Sequence, residues 1–264
     1  MTGYGRGKAA ALLGLVAGLV LTAACGGGNQ RATVLVAAAS DLRFVFEEME
    51  PRFERECECD LVFSFGSSGT LATQIEQGLQ VDVFASADSG YVDELDEEGL
   101  LLDGTRQPYA VGRVVLAVPA RTDSEVDSLD DLRDSRLKKI SIANPDHAPY
   151  GRAAKQALET AGVWQDIQSR LVFGENASLA TQFVETGNAD AGIIPLSLAI
   201  QRRQYLRFSL VPESLHEPLL QVAAVLRSSN HPDHARAFLD YVNGEGRALM
   251  REYGFVLPGE SVHQ

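Results

Sequence analysis

The chain has 264 residues, 45% of them hydrophobic and 22% charged, which is enough for one sizeable core or two small ones. A formal net charge of −13 argues against nucleic acid or anionic lipid as a partner. Three cysteines are too few for a disulfide scaffold.

Arg6 and Lys8 precede an apolar stretch, residues 9–21, that is too short to remain in a bilayer. Thr22-Ala-Ala-Cys25 and Gly26-Gly-Gly-Asn-Gln30 follow. Small residues before a cysteine, and a glycine run after it, resemble a bacterial lipoprotein signal cleaved before Cys25. Thr22 stands where such signals usually carry leucine, so an ordinary secretory signal with an incidental cysteine is the alternative. We assign residues 1–24 as the lipoprotein signal peptide and 25–30 as a flexible linker, with Cys25 as the lipid-attachment residue. The expectation is an exported protein, anchored at the outer face of the cytoplasmic membrane or in the periplasm. Losing Arg6 and Lys8 makes the remaining chain two units more negative, and no second hydrophobic span follows Cys25.

Beyond the linker, apolar runs alternate with helical patterns. Val34-Leu-Val-Ala-Ala-Ala-Ser40 is followed by Leu42, Val45, Phe46, Met49 and Phe53 at helical spacing. Cys57 and Cys59 come next. A bridge between them would close a small, strained ring, no nearby histidine completes a metal site, and they read as a surface pair of open redox state. Leu61-Val-Phe-Ser-Phe-Gly-Ser-Ser68 leads into a second helical pattern with Leu71, Ile75 and Leu79. Residues 81–87 form a third run, with Asp88 expected as the following helix cap and 94–98 as a solvated acidic face. Further runs at 114–118, 139–143, 191–194 and 222–226 are separated by helical patterns at 151–161, 178–186 and 234–253.

Strands alternating with helices predict an α/β protein with mostly parallel sheets flanked by helices. The extended segments 109–118 and 219–226, which follow Pro108 and Pro218, read as crossings between lobes. The expected division is lobe 1 at 31–109 and 221–264, and lobe 2 at 110–220. A ligand would sit in the cleft where strand C-terminal ends meet.

Ser40 and Ser68 each stand where a strand gives way to a helix. Free N–H groups and the positive dipole end face outward there, and small residues let hydroxyl and backbone donors approach an anion. No lysine or arginine lies in either serine segment, which favours capture by neutral hydrogen bonds. Plain helix capping is the competing account of either serine alone.

Several segments together resemble the periplasmic molybdate-binding proteins of ABC transporters. They are Ala37-Ala-Ala-Ser40, Phe65-Gly-Ser-Ser-Gly-Thr-Leu-Ala-Thr-Gln-Ile75, Val81-Asp-Val-Phe-Ala-Ser-Ala-Asp88, Asn144-Pro-Asp-His-Ala-Pro-Tyr-Gly151, Gly187-Asn-Ala-Asp-Ala-Gly192 and Tyr253-Gly-Phe255. The resemblance implies a two-lobed type II periplasmic binding fold that holds molybdate or tungstate and delivers it to a membrane permease. It implies a monomer with no catalytic residues and no cofactor, the metal entering as an oxyanion without side-chain ligation. Ser40 and Ser68 would donate hydroxyl and backbone bonds, and Tyr150 and Ala177 backbone N–H groups. Asp41 would offer its N–H while its carboxylate points elsewhere, because a buried charge beside an oxyanion is costly. Pro195 occupies a position where some members carry a donating tyrosine, and proline has no donor. The phenol of Tyr150 is the expected substitute, with a bare backbone contact as the alternative.

Sulfate, phosphate or another small oxyanion is the competing cargo, since donors in a sequence do not reveal cavity radius. A secreted serine hydrolase is the competitor from another class. Gly66-Ser-Ser-Gly69 is one residue short of the required elbow. The histidines form no supporting pattern: His231-Pro-Asp-His234 reads as the start of a helix at Pro232, and His147 as a polar loop residue near the cleft. Ser67 is expected to be a turn residue facing away from the ligand.

Overall fold

The computed structural model describes residues 31–122 and 125–260. They form two five-stranded sheets. In the first, β1 (Thr33–Ala39) is the centre of a parallel trio with β2 (Asp60–Gly66) and β3 (Val83–Ser86). Each strand runs at its C-terminal end into helical structure. A single 3-10 turn, Ser40–Leu42, precedes α1 (Arg43–Cys57), while α2 (Ser68–Glu76) and α3 (Ser89–Glu97) follow the other two strands. β4 (Gln107–Gly112) completes the outward course through this sheet.

After Arg113 the chain enters the second sheet as β5 (Val114–Pro119), followed by β6 (Ile140–Ala143) and α4 (Pro149–Thr160). The short α5 (Trp164–Ile167) leads to β7 (Leu171–Gly174) and α6 (Ala177–Glu185). β8 (Ala191–Pro195), α7 (Leu196–Gln201) and β9 (Leu206–Leu210) complete this sheet. The chain returns to the first sheet as β10 (Leu219–Val225), then closes with α8 (Pro232–Asn243) and α9 (Arg247–Glu252).

The two sheets repeat one plan without any sequence repeat. Their strand orders are β2-β1-β3-β10-β4 and β7-β6-β8-β5-β9. In each, the strand arriving from the other sheet, β10 or β5, runs antiparallel between its neighbours. Four strands of each sheet share one direction, so each expected mostly parallel sheet is a mixed one. Residues 110–112 and 219–220 belong to the first sheet, so Pro108 and Pro218 mark the approach to each crossing. The crossings themselves lie at Arg113 and residues 211–218. Arg113 pairs with Glu213 at 3.0 Å, tying one crossing to the other.

Burial follows the spacing read from the sequence. Leu42, Val45, Phe46, Met49 and Phe53 all face the core. Phe46 and Phe53 each meet the Phe238 ring of α8 edge-on at 5.3 Å, which fastens α8 to α1 in the first lobe. β3, β5, β6 and β8 are buried along their whole length, as expected for strands covered on both faces.

Cys57 and Cys59 form a disulfide, and Cys59 is fully buried, so they are not a surface pair. The bridge is accommodated because Glu58 turns left-handed at the end of α1, with φ 53°. Asp88 caps α3 by accepting from the Gly90 N–H at 2.8 Å, and α8 starts at Pro232, both as the sequence implied. Among the described residues no group of three or more His, Cys, Asp or Glu side chains could hold a metal ion.

Candidate functional site

The C-terminal ends of β1, β2, β6 and β7 open toward one another, and the helical segments that follow them converge on a small cavity. Ser40, Asp41, Ser68, Tyr150 and Ala177, the oxyanion-binding residues expected from the sequence, all line it. Its volume is ≈ 10 Å³, far below the roughly 300–1,000 Å³ of pockets for drug-sized ligands. No lysine, arginine or histidine is part of its lining.

Both serine hydroxyls have their accepting role filled by backbone. Ser68 Oγ accepts from the Ala87 N–H at 3.0 Å, and Ser40 Oγ from the Ser178 N–H at 3.2 Å. Each hydroxyl therefore retains a proton to donate. The helix starts supply the rest. The first N–H groups of an α-helix have no partner within it. At α2, the Ser67 side chain and carbonyl take the Thr70 and Leu71 N–H groups, while Gly69 N–H reaches His147 O at 3.0 Å. At α6, Asn176 takes Leu179 and Ala180. Among the described residues no hydrogen bond uses the N–H of Ser68, Tyr150 or Ala177. Two hydroxyls, three N–H groups and three positive helix ends thus meet around one cavity, an arrangement that favours a compact anion.

Glycine lets these elements approach. A Cβ at Gly151 would lie 2.2 Å from Ala143 O, so α4 could not start this close to the end of β6 with any other residue. A Cβ at Gly69 would lie 2.7 Å from His147 O, which belongs to the other lobe.

Interlobe bonds ring the cavity. Ser67 Oγ and His147 Nδ1 are 2.7 Å apart, and Ser178 Oγ donates to Ser40 O at 3.0 Å. Ser197 Oγ donates to Asp41 O at 3.0 Å. Arg152 of α4 pairs with Asp88 and lies over the Tyr91 ring at 4.9 Å. The cleft is closed. Ser67, expected to face away from the ligand, instead lines the cavity, caps α2 and clasps the two lobes, and His147 is its partner rather than an incidental loop residue.

Tyr150 departs from expectation. Its phenol donates to Asp41 Oδ2 at 2.9 Å, so its single proton is committed to a protein group and cannot supply the bond missing at Pro195. The Tyr150 N–H, which no hydrogen bond uses among the described residues, is the donor that this residue still offers. Gln221 Nε2 donates to the same Asp41 oxygen at 2.7 Å, from a bulge in β10. The Asp41 carboxylate thus turns toward Tyr150 and Gln221. Burial pushes its pKa up to about 6, against a smaller lowering by these two hydrogen bonds. Burial, and then the Asp41 charge, hold the Tyr150 phenol well above its usual range.

The sequence reading missed Gln221. Its signal was present: one amide inside the otherwise apolar Leu-Leu-Gln-Val-Ala-Ala-Val of β10.

The chain has known relatives. A family model for bacterial extracellular solute-binding proteins matches residues 34–256. The molybdate-binding protein ModA of Rhodobacter capsulatus is 34% identical over 250 residues, covering 94% of this chain and 95% of that protein. Escherichia coli ModA, also a molybdate-binding protein, is 31% identical over 255 residues, with 93% and 98% covered. The solved periplasmic molybdate-binding protein of Azotobacter vinelandii matches with a TM-score of 0.80 at 30% identity, covering 85% of this chain and 99% of that one. The chain belongs to the bacterial extracellular solute-binding proteins. Within them it stands with the ModA proteins.

Proposed function

We propose that this protein captures molybdate outside the cytoplasm and delivers it to the membrane permease of an ABC transporter. One observation carries the reading. The hydroxyls of Ser40 and Ser68 and the free N–H groups of Ser68, Tyr150 and Ala177 surround one small cavity that no cation lines. Neutral donors suit a dehydrated oxyanion, and backbone N–H groups hold it at fixed positions. Its relatives are binding proteins rather than enzymes.

Tungstate is isostructural with molybdate and is taken as a second cargo. The lobes, 31–109 with 221–264 against 110–220, are proposed to close as a monomer about the two crossings. Cys25 and the signal before it lie outside the described residues. The small residues before Cys25 and the glycine run after it support lipid attachment there.

Calorimetric titration of the desalted protein tests the assignment. Tight binding of molybdate and tungstate, with much weaker sulfate and phosphate, is expected. Equal or stronger binding of sulfate or phosphate would overturn it.

A further inference from the structure

A carboxylate is out of place in a cavity that takes an anion. Asp41 is 2% exposed and lines the cavity, yet nothing neutralises it. Its Oδ2 is held by Tyr150 and Gln221 at 2.9 and 2.7 Å, while its Oδ1 is buried without a partner. The groups that face it are Tyr150 from α4, Tyr109 from β4 and Gln221 from β10. Ser197 of α7 bonds only its backbone carbonyl. Among the described residues no lysine, arginine or histidine pairs with the Asp41 carboxylate. An ionised Asp41 beside a bound dianion would leave three negative charges together in a dry cleft, where like charges repel strongly.

We propose that anion capture brings one proton into the cleft, taken from solvent and held on Asp41 Oδ1. The proposal rests on the anion-capture reading above. An O–H bond forms at Oδ1, a water or buffer acid gives up the proton, and no bond of the anion breaks. The carboxylic acid is neutral, so the only charge in the closed cavity is that of the cargo. Oδ1 also changes from an unpartnered acceptor into a donor. It thereby supplies the side-chain donor that Pro195 lacks and that the Tyr150 phenol, committed to Oδ2, cannot provide. Burial has already raised this carboxyl to about 6, and an anion beside it moves it further in the same direction.

Proton linkage tests this directly. The exported chain is titrated calorimetrically with sodium molybdate near pH 7.5, in buffers of different ionisation enthalpy, and the slope gives the protons taken up per anion. Close to one is expected, with affinity falling up to tenfold per pH unit above neutrality. Asp41→Asn should abolish the uptake and flatten the pH dependence. Binding without proton uptake by the wild type overturns the proposal while the anion reading stands. Uptake that persists in D41N also overturns it, since the proton must then sit on another group such as His147. If D41N does not fold, the wild-type proton count decides alone. No binding heat with molybdate would overturn both the site reading and the proposal.

Discussion

Asp41→Asn in the absence of any anion isolates what this buried charge does to stability. Burial raises the Asp41 pKa from 3.8 to about 6 in the folded protein. Between those values the folded chain binds more protons than the unfolded chain, so the contribution of this group to stability falls as pH rises through that window. A shift of that size corresponds to about 3 kcal/mol, fully lost above pH ~6. Asparagine cannot ionise. Its Oδ1 can still accept from Tyr150, and Gln221 can turn so that Oε1, buried without a partner, accepts from the new amide. Denaturant unfolding of both proteins from pH ~4 to ~7 separates the two effects. The change in hydrogen bonding enters as an offset present at every pH. The charge enters as a gain for the variant that grows by about 2 kcal/mol across this range, at unchanged m-value. A difference that does not vary with pH would refute the reasoning.

Other outcomes follow from the donors and the clasp. Ser40→Ala and Ser68→Ala should each weaken molybdate binding by about 1–3 kcal/mol in calorimetry, the usual loss when a charged acceptor is left without a partner. Gly69→Ala places a methyl group 2.7 Å from His147 O across the cleft, so it should hinder closure. Scattering should then show a larger radius with molybdate than for wild type, and affinity should fall by about 1–3 kcal/mol. Cys25→Ser should release a soluble form or leave an uncleaved precursor, seen by fractionation and gel migration.

Much of the cavity's lining was legible because a helix start is a local device. Ser40, Ser68, Tyr150 and Ala177 each stand at a strand-to-helix transition, and alternation of apolar runs with helical spacing places such transitions on the sequence. Pairing between segments distant in sequence was not legible. The partners Ser67 and His147 lie 80 residues apart, and Asp41 and Gln221 are separated by 180. Nothing in local spacing brings them together. Gln221 was nonetheless visible as one amide in an apolar strand, a sign that it needs a specific partner once buried. The Tyr150 phenol was misjudged for the same reason: its reach was sound, but the acceptor competing for its proton lies in the other lobe. The Cys57–Cys59 bridge escaped because the left-handed turn at Glu58 that admits it leaves no mark in composition.

The central claim is that one oxyanion is held by neutral donors among Ser40, Ser68, Tyr150 and Ala177. Crystals grown with molybdate and measured at the molybdenum absorption edge test it most directly. A single anomalous peak is expected in that cavity, with the oxygens of the anion within hydrogen-bond distance of the Ser40 and Ser68 hydroxyls and the Tyr150 and Ala177 N–H groups. A peak elsewhere on the protein, or none at saturating molybdate, would contradict the account.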